Sequence, residues 1–202
     1  MPFPAFFDQV PTIRVIDPLA AFLGAGDGVI DYGYADAVKL AGHSCPTVAA
    51  AYMMTARALA ALYGDATPVR GEIRVSLADG AAEGTTGVVA AVAGLITGAR
   101  GEDGFKGIGG HFVRAGLLDF DQPLGTTIAY ARADGGGTVY AEFNGGRVPS
   151  SPEMSPLLRA VLGGTAAEGD AARFAELWQD RVRRILVDHW DDPELVMLRR
   201  AG

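Results

Sequence analysis

The chain has 202 residues, 49% of them hydrophobic and 20% charged, which suits one compact domain with a sizeable core and excludes a disordered chain. A formal net charge of −7 with no run of Lys and Arg argues against a nucleic-acid partner. The single cysteine, Cys45, precludes an intrachain disulfide, and the N-terminus "MPFPAFFDQV" lacks the basic segment and apolar core of a secretory signal, so a reducing, cytoplasmic setting is expected.

After an irregular N-terminal arm, "FDQVPTIRVIDPLAAFLG" predicts a short strand and then a short helix. "VIDYGYADAVKLAG" reads as a strand turning into a helix, with Asp36 as N-cap and Gly42 as its stop. From Thr47 to Tyr63 the chain is rich in Ala, Met and Leu, follows Pro46 and ends at Gly64, which predicts a helix. "GEIRVSL" alternates Glu72, Arg74 and Ser76 with Ile73, Val75 and Leu77, the period-two pattern of a strand wet on one face.

Val88, Val92, Leu95 and Ile96 recur at helical spacing and predict a buried helix over 87–96, although its β-branched residues also fit a strand; the apolar run around it falls short of the roughly 20 residues that span a bilayer, so no membrane partner is expected. A glycine-rich loop, "TGARGEDGFKGIGGHFVR", follows, and "TTIAYARADGGGTVYAEFN" reads as a β-hairpin turning at 134–137. The last quarter reads as helical, with Phe174, Leu177, Trp178, Val182, Ile185 and Leu186 forming a face that packs on the core or on a second copy of the chain. Strands and helices mix without regular alternation. The expected class is α+β: a single domain with a central antiparallel or mixed sheet, packed helices, a core over about 30–150 and a helical C-terminal segment over about 152–200.

The chemistry concentrates in "AGHSCP", where Cys45 and His43 stand two positions apart just ahead of the long helix. With Pro46 at the first helical position, Cys45 is the N-cap, and its sulfur faces unpaired backbone N–H groups and the positive end of the helix dipole. The thiolate favoured there is both a nucleophile and a soft metal ligand. On an extended segment His43 points to the same side, and such an N/S pair suits zinc or another transition metal, with further ligands arriving from elsewhere. Alternatively, His43 serves as base or ion-pair partner to a metal-free nucleophilic Cys45, or Cys45 is simply a small buried hydrophobe and His43 a hydrogen-bonded loop residue.

"AGHSCPTVAAAY" resembles the G-H-x-C-P signature of the FmdE-like family, named for its association with formylmethanofuran dehydrogenase, and 72–118 resembles the core that follows, so the likeness covers roughly 32–118. The resemblance implies an α+β domain, often a homodimer, with a metal site, commonly zinc, at the signature residues, here His43 and Cys45. Family members often carry further cysteines near the positions of Asp79 and Thr97 and a C-terminal cysteine-rich zinc ribbon; this chain has neither. A zinc ribbon is therefore excluded, and His, Asp, Glu, backbone or solvent must complete the central site.

His111 is the preferred third ligand, because the flexible glycine-rich stretch before it can bring it to Cys45. Asp79, in "LADG" at a strand end, offers a carboxylate oxygen or a general base, although an Asp-Gly turn is the plainer role. Lys106, one of two lysines, and Arg114 are candidates to hold an anionic substrate over the glycine loop, whose spacing matches no nucleotide-binding motif. His189 lies among carboxylates near a helix end, where a salt-bridged or capping role is expected, and Asp27, Asp31 and Asp36 are given no role in the site. Three readings follow: an FmdE-like metal-binding protein acting on a small molecule, a metal-free thiol enzyme or redox sensor using Cys45, and a non-catalytic homodimeric binding protein.

Overall fold

In the computed structural model, which describes residues 2–201, the N-terminal arm is ordered rather than irregular: Ala5–Gln9 forms a 3-10 turn that buries Phe6 and Phe7. Strand β1 (Ile13–Ile16) leads through Asp17 into helix α1 (Pro18–Phe22), and β1 pairs antiparallel with β2 (Val29–Tyr32). Asp17 caps α1 by accepting from the backbone N–H groups of Leu19 and Ala20 at 3.0 and 3.2 Å, satisfying donors that the first turn leaves idle.

Helix α2 (Tyr34–Ala41) starts ahead of Asp36, with Gly33 in the cap position. Asp36 instead sits in the first turn, and its carboxylate reaches back to accept the Gly33 N–H at 3.0 Å. Gly42 stops the helix as expected, in the left-handed conformation with φ 77°.

Helix α3 (Pro46–Tyr63) is the centre of the molecule, with every residue from Val48 to Thr55 buried. Its alanines let it approach neighbours closely on all sides, and a helix apolar all round belongs inside. It packs on α4 (Thr86–Thr97) and on the sheet formed by β3 (Ile73–Leu77), β4 (Leu118–Asp119), β5 (Ile128–Arg132), β6 (Thr138–Phe143) and β7 (Val196–Arg200). The sheet order is β4-β3-β5-β6-β7, with β3 and β4 parallel and the other neighbours antiparallel. Ile73, Val75 and Leu77 turn inward, and the buried Tyr130 hydroxyl meets Thr55 Oγ1 at 2.7 Å, so the polar tip of this core side chain is satisfied.

The fold is thus α+β with a mixed sheet. The C-terminal quarter departs from expectation. Helices α5 (Met154–Leu162) and α6 (Asp170–Arg183) run into a π-helical turn at Arg184–Asp188, but the chain then forms β7 along the free edge of β6, burying Leu195 and Val196 completely. A five-residue edge strand ending in two arginines carries too short a pattern to be read locally; the unpaired edge of β6 organises it. No helix among the described residues is long and apolar enough to cross a membrane.

Candidate functional site

Cys45 is the N-cap of α3, as its place before Pro46 dictates, and its backbone is extended (φ −150°, ψ 166°). Its Sγ accepts the Val48 N–H at 3.4 Å, and the residue is only 7% exposed. His43 is exposed beside it. The imidazole Nδ1 lies 3.0 Å from the Ala41 carbonyl, which can only accept, so Nδ1 is the donor in this bond and Nε2 is the ring nitrogen left for another partner.

Ser44 anchors the loop between them. Its carbonyl accepts from Trp178 Nε1 at 2.9 Å and Gln179 Nε2 at 3.2 Å, and its hydroxyl donates to Gln179 Oε1 at 3.0 Å while lying 3.0 Å from the Tyr34 hydroxyl. Burial pushes the Tyr34 hydroxyl far above its ordinary value, outweighing the opposing effect of the Ser44 bond. Tyr34 therefore remains a donor, and α2 and α6 grip the motif from two sides.

His43, Cys45, Thr47, Thr85, Trp178 and Arg181 line a cleft of about 410 Å³. Arg181 donates from Nε to the Val148 carbonyl at 2.8 Å and from Nη2 to the Gly145 carbonyl at 3.3 Å. Burial, and secondarily the charge of Arg184, draws its pKa down, yet a guanidinium stays charged. No carboxylate among the described residues forms an ion pair with it. The cleft thus combines a sulfur, an imidazole, two hydroxyls and a cation, with no acid on its walls.

No family model matches the chain, and no curated protein matches its sequence.

Of the candidate site residues named from sequence, only His43 and Cys45 share the cleft. His111 is not brought to them: it is exposed in a second depression of about 190 Å³, together with Arg70, Glu72, Phe112 and Arg114. The glycine-rich loop closes on itself instead of on Cys45, because Ile108 and His111 exchange backbone hydrogen bonds at 2.9 and 3.0 Å and the Arg114 N–H donates to the Phe105 carbonyl at 2.8 Å. Within the chain, no group of three or more His, Cys, Asp or Glu among the described residues is placed to hold a metal. Arg114 is buried against Asp17 rather than set beside Cys45, while Asp79 and Lys106 are exposed and line neither depression. His189 Nδ1 lies 3.2 Å from the Asp192 carboxylate at a helix end, away from the cleft.

Sequence reading missed the roles of Trp178 and Arg181. Trp178 is visible there only as part of an apolar helical face. Arg181 has no local signal, since Arg173 and Arg183 stand on the same helix and nothing in the sequence sets it apart from them.

Proposed function

We propose that the His43–Cys45 cleft is the working site of an FmdE-like protein acting on a small molecule, with His43 and Cys45 as two ligands for zinc or another transition metal. The observation that carries this reading is their convergence on one cleft with His43 Nδ1 tied to the Ala41 carbonyl, the arrangement that orients imidazoles for metal binding through Nε2. Imidazole nitrogen and thiolate sulfur fit such an ion as half of a four-coordinate set. The other positions fall to solvent, to the substrate or to a second copy, and the exposed Leu158 and Leu162 on α5 support the expected homodimer.

A bound metal would supply Lewis-acid polarisation of a carbonyl or water. The chain's own groups bind and orient: Arg181 receives an anionic part of the substrate, Trp178 and Val88 form an apolar wall, and the bonds from Trp178 and Gln179 to Ser44 keep the loop in shape.

The test is elemental analysis of protein purified without a histidine tag or added metal, comparing wild type with Cys45→Ser and His43→Ala. Near-stoichiometric metal that is lost in both variants supports the reading; metal-free wild type overturns it.

Arg181, a cation beside Cys45 without an acidic partner, favours a second reading in which Cys45 acts as a metal-free nucleophile on an anionic substrate. Metal-free protein should then react faster with iodoacetate than with iodoacetamide, and Arg181→Gln should abolish that preference. A Cys45 that resists both reagents would sink this alternative.

A further inference from the structure

The five-stranded sheet has one covered face and one open face. Ile73, Val75, Leu77 and Tyr130 point toward α3 and α4 and are fully buried. The opposite face carries the exposed Arg74, Asp119, Glu142, Met197 and Arg199. An open antiparallel face ordinarily carries polar residues. Here the outward positions of the middle strand, β5, are Ala129 and Ala131, a residue type that strands otherwise avoid, so the centre of this face is smooth and apolar.

One row of side chains crosses the whole sheet. The register sets Asp119 of β4, Ser76 of β3, Ala129 of β5, Tyr140 of β6 and Arg199 of β7 side by side. With neighbouring strands about 4.8 Å apart, Asp119 and Arg199 stand about 10 Å to either side of Ala129. Outward from Ala129 the row meets a hydroxyl on each side, Ser76 and Tyr140, and then opposite charges. Neither Asp119 nor Arg199 forms an ion pair among the described residues. The Arg199 guanidinium lies over the Tyr140 ring, 4.0 Å from its centroid, which keeps the cation on this face.

Such a row is complementary to itself. Rotation by half a turn about an axis along β5 exchanges its two ends, so a second copy laid face to face sets Asp119 against Arg199 twice, Ser76 against Tyr140 twice and Ala129 against Ala129. An isologous two-fold interface requires that property. The same rotation sets Arg74 opposite Thr138 rather than opposite a like charge. The charges of the face, Arg74 and Arg199 against Asp119 and Glu142, cancel in a chain whose net charge is −7, so two copies meeting there bring no net charge together.

We propose that this open face is where two copies of the chain meet, sheet against sheet, with an Asp119–Arg199 pair at each end of the row. The inference rests on the homodimer reading above and is independent of the metal. Aligned sheets pack about 10 Å apart, a separation that facing alanines and a serine facing a tyrosine permit. Because α3 and α4 lie on the other side of the sheet, the partner supplies no group to the His43–Cys45 cleft.

The test is sedimentation velocity of the full-length protein over about 1–100 μM, a range that fills a dimer of ordinary affinity. Wild type is expected to be a dimer. Asp119→Arg and Arg199→Asp each put like charges together at both ends of the row and should raise the dimer dissociation constant about 100-fold or more, leaving monomer. Both positions are exposed, and unchanged circular dichroism checks that the variants fold. An equimolar mixture of the two variants restores both opposite-charge pairs and should sediment as a dimer. Leu162→Asp, on α5 and outside this face, should leave the wild-type dimer intact. A monomeric wild type overturns the inference together with the homodimer reading. A dimer that survives both single substitutions, or folded variants that fail to associate when mixed, overturns the inference alone. Dissociation in Leu162→Asp also overturns it and assigns the interface to α5.

Discussion

Trp178 Nε1 donates to the Ser44 carbonyl at 2.9 Å, a bond that joins positions 134 residues apart and makes α6 a wall of the cleft around Cys45. Trp178→Phe keeps most of the ring and removes the donor. Because Gln179 still donates to the same carbonyl, the expected loss is about 1 kcal/mol, read as a lower urea midpoint. The loosened loop should also expose Cys45, so its alkylation should speed up. Unchanged stability and alkylation together would show that α6 does not hold the loop.

The cap role of Cys45 separates from its chemical role. Serine is a good N-cap and alanine a poor one, so Cys45→Ser should retain stability while Cys45→Ala loses about 1 kcal/mol, measured by thermal or urea unfolding. Both variants remove the sulfur and should lose metal or thiol reactivity alike. Equal stabilities would mean that the Val48 N–H bond contributes little.

Asp17 should make stability acid-sensitive. Burial acts to raise its pKa, but the Arg70 hydrogen bond, the Ala20 N–H and the charges of Arg114 and Arg70 together hold it below the usual carboxylate range. A group depressed in the folded state contributes stability that is complete above its unfolded value, near ~3.9, and is lost as pH falls from there through the folded value. Asp17→Asn should cost about 3–5 kcal/mol at neutral pH, because two guanidiniums lose their shared partner, and should flatten the fall in stability below about pH 4. Urea midpoints measured across pH for both proteins check this; parallel profiles would remove Asp17 as the cause.

Gly71 is required twice over, by its φ of 88° and by the guanidinium lying where a side chain would start. Gly71→Ala should destabilise by about 2 kcal/mol or more, from backbone strain and displacement of Arg114. Gly109→Ala, at φ 56° with open space around it, is the control: it carries backbone strain alone and should cost less. Similar losses in the two would show that the contact with Arg114 adds nothing.

The parts of the molecule legible in the sequence are those set by interactions within a few residues. Pro46 and Cys45 open α3 because the first turn must satisfy its own N–H groups, Gly42 ends α2 because the chain there turns left-handed, and the alternation in "GEIRVSL" records which face of β3 is wet. His43 and Cys45 are recognisable for the same reason, since their shared orientation depends only on the extended backbone between them and the helix start. The tertiary structure decided the rest. Arg181 joins the cleft from more than a hundred residues away, His111 turns to a second depression because its loop is bonded to itself and to Asp17 through Arg114, and β7 exists because β6 offers an unpaired edge. Each of these depends on which surfaces meet when the core closes, and a short run of residues carries no local pattern for a partner that only folding brings near.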